Sequence, residues 1–178
     1  METGKVIAAV RSDNEFISAA ESNVNIIFYL APSILSLEQK IKFAHAKGKK
    51  VFIHIDLAEG IGKDKSGILY SKSIGVDGII STRASIIKHA HEAELFTVQR
   101  FFTMDSRSIN VAIEAIKSSK PYMVEIMPGV IEKTIKKLKD NTSVPVIAGG
   151  LIDSPAEVER ALGAGAVAIS TGNSDLWR

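Results

Sequence analysis

Residues 144–173 read VPVIAGGLIDSPAEVERALGAGAVAISTGN. An apolar run, Val144 to Ala148, stops at a pair of glycines. Ser154-Pro155-Ala156-Glu157 then forms a capping box with proline at the first helical position, so a helix starts there. Gly163 follows the helical run, and a second apolar run, Ala166 to Ser170, begins after it. Both runs are nearly continuous in hydrophobicity, as a parallel strand buried on both faces requires, whereas a half-exposed antiparallel strand alternates. The stretch reads as strand, helix, strand.

Outward from it the same unit recurs. Six further apolar runs, Val6 to Val10, Asn25 to Leu30, Val51 to Ile55, Asp77 to Ile80, Phe96 to Arg100 and Tyr122 to Met127, bring the predicted strands to eight. The segments between them have helical spacing: Ile109, Ala112, Ile113 and Ile116 draw one apolar stripe, and Ile131, Ile135 and Leu138 another. Ser12-x-x-Glu15 and Ser36-x-x-Gln39 are further capping boxes. Gly48, Gly75 and Gly163 each stand between a helix and a strand, where a residue without a Cβ closes a helix in the left-handed conformation. A strand begins roughly every 20 to 25 residues, near the minimum for a strand plus a helix, so eight units just fit.

Eight parallel units either close into a barrel or lie open as a doubly wound sheet. The strand count favours closure, and Ala8, Ala9 and Gly78 suit a crowded bore. Arg11-Ser12-Asp13 follows the first strand, so the glycine-rich dinucleotide fingerprint of an open sheet is missing. The expectation is an α/β fold, a compact TIM-type (β/α)8 barrel forming one domain over residues 1–178, with a truncated last helix. Asn173 to Arg178 is barely a turn long. The wall left thin there calls for docking of the C-terminus or for contact with a second copy in a homodimer.

With 178 residues, 46% of them hydrophobic, the chain can bury one substantial core, and no run approaches the twenty apolar residues of a membrane span. Met1-Glu2-Thr3-Gly4-Lys5 lacks the layout of a secretory signal, and the chain has no cysteine for disulfides or thiolate metal sites. A cytoplasmic protein without a membrane partner is the expectation. Lys and Arg number 22 against 20 Asp and Glu, so a nucleic-acid partner would need a local basic patch rather than overall charge.

In a barrel of this kind function sits at the C-terminal ends of the strands, and phosphate commonly binds in the loops after strands seven and eight. Those loops read Ala148-Gly149-Gly150 and Ser170-Thr171-Gly172-Asn173. Glycines permit close backbone approach, while N–H groups and hydroxyls converge on an oxyanion. Gly149, Gly150, Ser170, Thr171 and Gly172 are therefore candidate phosphate ligands, the alternative being two tight turns. Charged or polar residues end other strands: Arg11 at the first, His54 and Asp56 at the third, Ser81-Thr82-Arg83 at the fourth, Gln99 and Arg100 at the fifth, Glu125 at the sixth. Taken as a set they suit a small, polar, anionic ligand, and taken singly they suit a ring of structural ion pairs equally well.

No lysine ends a central strand, so Schiff-base chemistry has no candidate nucleophile. His54 is the only histidine near the mouth, which gives no metal site, and no cofactor is called for. Acid–base work by Asp56 and Glu125 keeps a phosphosugar isomerase or related enzyme acting on a small phosphorylated polyol as the rival to a binding protein. Leu57 to Lys63, with two glycines, reads either as a hinged lid or as an ordinary longer loop.

The segments VFIHIDLAEGIG, DGIISTR, TVQRFFTMDS, VEIMPGV, VPVIAGGLI and AISTGNSDLW, in this order from residue 51 to residue 177, resemble the glycerol uptake operon antiterminator proteins. The resemblance implies a regulator without catalytic residues, a barrel that senses glycerol 3-phosphate as its effector and, when loaded, acts on the leader mRNA of glycerol-utilisation operons. It implies phosphate contacts at Gly149, Gly150, Ser170 and Thr171, with Arg11, Asp56, Arg83, Arg100 and Glu125 around the polyol and the carboxylates accepting from its hydroxyls. A phosphate monoester carries about −1.5 to −2 charges at neutral pH and is well held by backbone N–H groups beside an arginine. On the RNA side the sequence shows no RNP, KH or double-stranded-RNA signature. It offers two local basic faces, Lys133, Lys136 and Lys137 opposite the Ile131 stripe, and Lys47, Lys49 and Lys50.

Overall fold

The computed structural model describes residues 4–178; Met1 to Thr3, part of the N-terminal stretch read above, lie outside them. Strands and helices alternate: β1 Val6–Val10, α1 Asp13–Glu21, β2 Ile26–Tyr29, α2 Leu37–Ala46, β3 Lys50–His54, a 3-10 turn Ile55–Leu57, α3 Lys65–Ser73, β4 Gly78–Ser81, α4 Ala84–Glu92, β5 Phe96–Phe102, α5 Ser106–Ser119, β6 Met123–Met127, α6 Glu132–Asn141, β7 Val146–Gly149, α7 Pro155–Gly163, β8 Ala168–Thr171 and a 3-10 turn Ser174–Leu176. All pairings are parallel, and β8 returns to β1 through Val6 opposite Ile169 and Ala8 opposite Thr171, which closes the barrel in the expected TIM-type order.

Alternation along the strands sorts the core into two layers. Ile7, Phe28, Leu30, Phe52, Ile80, Val98, Ile147 and Ala168 form one packed group that fills the bore. Their neighbours, Ala8, Val10, Ile27, Ile53, Ile79, Val124 and Ile126 among them, join the helix faces in the larger outer layer. Ala8 thus packs towards the helices, while Ala9 packs against the bore. Gly78 is required there, because a Cβ would stand 2.8 Å from the Phe52 ring.

The capping boxes of α1 and α7 form, with Ser12 accepting from the Glu15 amide and Ser154 from that of Glu157. That of α2 does not. Ser36 has ψ −8, already turned towards the helix, so its hydroxyl does not reach the third amide and instead accepts from Lys40 Nζ at 2.7 Å. Gly48 and Gly75 are left-handed as expected, but Gly163 is the last residue of α7 and the left-handed stop is Gly165 at φ +111. Ile131 is the N-cap of α6 and exposed, so the buried stripe of that helix starts with Thr134 and Ile135. β7 begins at Val146 because Pro145 has no N–H to give to a ladder.

The thin stretch of wall after β8 is covered by the C-terminus itself. Trp177 is buried, its Nε1 donates to Thr171 O at 3.0 Å, and its carbonyl accepts from Asn23 N at 3.1 Å. No helix among the described residues is long and apolar enough to cross a membrane.

Candidate functional site

At the C-terminal mouth the inward alternates of β5, β6 and β8 are Arg100, Glu125 and Ser170. Glu125 is fully buried and both its oxygens are engaged: Oε2 accepts from Arg100 Nε at 2.5 Å, and Oε1 from Ser170 Oγ at 2.5 Å. A buried carboxylate without a cation would be costly, and here the guanidinium neutralises it. Among the described residues Nε is the only nitrogen of Arg100 in a hydrogen bond or ion pair, and Arg100 is part of the pocket lining. Glu125 thus holds Arg100 Nε on one oxygen and the Ser170 hydroxyl on the other, and fixes the position of both groups. Gly149 completes the arrangement, since a Cβ there would lie 2.5 Å from Glu125 Oε1 and 2.6 Å from Ser170 Oγ.

Above this pair lies a pocket of about 200 Å3 between the ends of β1, β5, β6, β7 and β8. Arg11, Arg100, Glu125, Gly150, Ser170, Thr171 and Gly172, all named from the sequence, line it together. Gly149 backs it. Two successive left-handed residues, Gly150 at φ +78 and Leu151 at φ +60, turn the chain away from β7. Leucine seldom adopts that conformation, and holding it there costs on the order of 1–3 kcal/mol. The loop is fixed from both sides. Gly129 N donates to the carbonyls of Gly149 and Gly150, at 2.6 and 3.1 Å, and Thr171 Oγ1 donates to Ile152 O at 2.7 Å while accepting from Asn173 N at 3.0 Å. Asn173 Nδ2 adds a bond to Asp153 O at 2.9 Å. The turns after β7 and β8 are thus one cross-linked rim.

Sequence reasoning missed Leu30, Met127, Leu151, Ile152 and Asp153, which also line the pocket. Leu30 was within reach, as it lies two residues beyond Phe28 on the inward alternate of β2. Nothing in the local sequence marks Asp153, whose backbone N–H is held by Glu157 Oε2 at 2.9 Å.

His54, Asp56 and Arg83 lie apart from this pocket, at the ends of β3 and β4. β3 stops at His54 and the chain coils into the 3-10 turn, so Asp56 bends towards β4 instead of continuing the strand's alternation. There it accepts from Ser81 Oγ at 2.7 Å, Thr82 N at 2.7 Å and Thr82 Oγ1 at 2.9 Å, with Arg83 Nε at 3.8 Å and His54 Nε2 at 3.4 Å. Burial alone would raise the Asp56 pKa, but contact with His54 and the bonds from Thr82 and Ser81 outweigh it and hold the carboxyl well below the usual carboxylate range. The His54 contact is an ion-pair distance and not an aligned hydrogen bond, and both ring nitrogens of this buried histidine lack a hydrogen-bond partner among the described residues. Gln99, expected at the mouth, points the other way. It accepts from Ser119 Oγ of α5, because β5 turns Val98 and Arg100 inward.

The 57–63 loop is anchored. Glu59 N donates to Pro32 O at 2.8 Å, Ile34 N to Glu59 O at 3.0 Å, Lys63 Nζ to Ile61 O at 3.0 Å, and Ala58 and Ile61 are buried. Among the described residues no group of three or more His, Asp and Glu is placed to hold a metal ion.

A family model described as "Glycerol-3-phosphate responsive antiterminator" matches residues 6–177. The crystal structure of a glycerol uptake operon antiterminator regulatory protein from Listeria monocytogenes superposes with TM-score 0.92 at 32% identity, covering 99% of this chain and 96% of that one. A glycerol uptake operon antiterminator-related protein from Thermotoga maritima gives TM-score 0.87 at 30% identity, over 98% of each chain. An uncharacterized protein of Escherichia coli (strain K12), YgcP, is 35% identical over 173 residues, 97% of this chain and 91% of that protein.

Proposed function

Since this chain belongs to the glycerol-3-phosphate responsive antiterminator family, we propose that it is a cytoplasmic regulator that binds glycerol 3-phosphate at the barrel mouth and, when loaded, acts on leader RNA so that transcription passes a terminator. The observation that carries the ligand half is the cross-linked rim of Gly150, Thr171 and Gly172 sharing one pocket with Arg11 and Arg100. The phosphate lies against the rim, where glycines let the backbone come close and the two arginines supply charge-assisted hydrogen bonds. The glycerol hydroxyls reach towards Ser170 and Arg100. Glu125 positions both groups and compensates the Arg100 charge, so the anion's charge is met chiefly by Arg11 and backbone dipoles. The His54, Asp56 and Arg83 cluster flanks the mouth on the β3–β4 side.

Loading shifts the chain between states that differ in affinity for RNA. Driving such an equilibrium from 1:99 to 99:1 takes about 5.5 kcal/mol of differential binding, so the ligand must contact the two states very differently.

Isothermal titration with glycerol 3-phosphate, glycerol and inorganic phosphate, followed by NMR of the recovered ester, tests the reading. The ester should bind, glycerol should not, and the ester should come back unchanged. At 100 times its dissociation constant it should add about 2.7 kcal/mol of stability. Turnover of the ester would replace the regulator with an enzyme, and absence of binding would remove the effector.

A further inference from the structure

Two carboxylates belong to the wall of the pocket, and their surroundings differ. Glu125 is fully buried, and each of its oxygens accepts from a group of the chain, Arg100 Nε or Ser170 Oγ. Asp153, in the turn between β7 and α7, is exposed, and its carboxylate takes part in no hydrogen bond or ion pair among the described residues. The residue is held in place all the same. Its N–H donates to Glu157 Oε2 at 2.9 Å, beside the capping box that starts α7, and its carbonyl accepts from Asn173 Nδ2 at 2.9 Å in the turn after β8. Asp153 is clamped through its backbone alone, so its side chain is not used to hold the fold.

A negative charge in the wall of an anion pocket works against every anion, which calls for a second role. The rest of the wall is rich in donors. Arg11 and Arg100 can only donate. Acceptors at the rim are largely taken within the chain: Gly150 O by Gly129 N, Ile152 O by Thr171 Oγ1, Thr171 O by Trp177 Nε1 and Asn173 Oδ1 by Asp175 N. A phosphate needs only donors, but a polyol brings O–H groups that must find acceptors on leaving water. Asp153 offers two carboxylate oxygens for them.

We propose that Asp153 reads the polyol half of the ligand: its carboxylate accepts from a hydroxyl of a small phosphate ester and turns away esters whose other end is a second anion. The assignment rests on the phosphate-ester reading of this pocket. The pocket is about 200 Å3, so the wall surrounds a three-carbon ester closely at both ends. A hydroxyl gains from a charged acceptor, because such a bond is stronger than one between neutral groups. A second anion in the same position meets like charge and has no proton to share.

Three esters of equal carbon number separate these effects by isothermal titration on wild type and Asp153→Ala. They are glycerol 3-phosphate, propyl phosphate, which lacks both hydroxyls, and 3-phosphoglycerate, which has a carboxylate where glycerol 3-phosphate has a hydroxymethyl group. The substitution leaves both backbone bonds in place, and melting curves check the fold. Asp153→Ala should weaken glycerol 3-phosphate about tenfold or more and strengthen both propyl phosphate and 3-phosphoglycerate. A distorted rim would weaken all three, so the opposite signs belong to the carboxylate. Should Asp153→Ala fail to fold, Asp153→Asn keeps the shape and one neutral acceptor, and should give the same signs with a smaller loss for glycerol 3-phosphate. If all three esters bind the variant more tightly, Asp153 is only a like charge at the rim. If all three, or glycerol 3-phosphate and propyl phosphate together, bind it more weakly, the carboxylate supports the rim or meets the phosphate. Either result overturns the assignment while leaving the effector reading intact. If wild type binds none of the three, the effector reading falls, and the role of Asp153 with it.

Discussion

Arg100 Nε and Glu125 Oε2 meet 2.5 Å apart at the centre of the mouth, on side chains 5% and 0% exposed. A charge pair held so far from solvent is costly to break from one side and cheap to replace as a whole, because the penalty lies in leaving one ion uncompensated. Glu125→Leu alone should therefore cost about 3–5 kcal/mol in chemical denaturation. Arg100→Met added to it should recover most of that loss without restoring ester binding. A double variant no more stable than Glu125→Leu would mean that the pair is not the unit described.

Two glycines, Gly149 at the end of β7 and Gly163 in the last turn of α7, should respond in opposite senses to alanine. At Gly149 the new methyl would press on Glu125 Oε1 and Ser170 Oγ, so Gly149→Ala should destabilise by about 1–3 kcal/mol and weaken ester binding as it displaces both groups. At Gly163 nothing lies within 4 Å, and the residue is helical. Gly163→Ala should raise stability by about 0.4–1 kcal/mol, chiefly by restricting the unfolded chain, with ester affinity unchanged. Thermal melts of the two variants side by side would check both signs.

This contrast also indicates what could be read from the sequence. The eight strands were legible because a parallel barrel buries both faces of each strand and leaves an unbroken apolar run. The rim was legible because close backbone approach needs glycine, and Gly149-Gly150 and Thr171-Gly172 stand where the fold brings loops together. The partition of the charged strand ends was not. Asp56 leaves its strand in a 3-10 turn, and Gln99 and Arg100, adjacent in sequence, face opposite layers. Strand phase becomes visible only once the bore residues are known.

Asp56 should govern part of the acid response. Its pKa is held below the ordinary value, so the unfolded chain takes up the proton first as pH falls, and the stability Asp56 contributes is present above pH of about 4 and lost progressively below it. Asp13, Glu15, Asp77, Asp105 and Glu157 are also depressed, and they share the slope. Asp56→Asn should therefore be less stable than wild type at neutral pH and lose less on going from pH 4 to pH 2. Parallel stability curves for the two proteins over that interval would show that the Ser81 and Thr82 bonds do not single out the charged carboxyl.

Trp177 does the work that an eighth helix would do, and its removal should be felt at the rim. Its indole is buried against the outer core, and Nε1 holds the carbonyl of Thr171, whose own hydroxyl ties the β7 and β8 turns together. Trp177→Phe keeps most of the apolar area and leaves that carbonyl without its donor, a loss of about 1–3 kcal/mol. Trp177→Ala adds a cavity and should cost about 3–5 kcal/mol. Because the lost bond acts on Thr171, both variants should bind the ester more weakly than their stability alone accounts for, measured at a temperature where each is fully folded. Equal affinity in wild type and Trp177→Phe would mean that the rim is held by the Thr171 hydroxyl and Asn173 without help from the C-terminus.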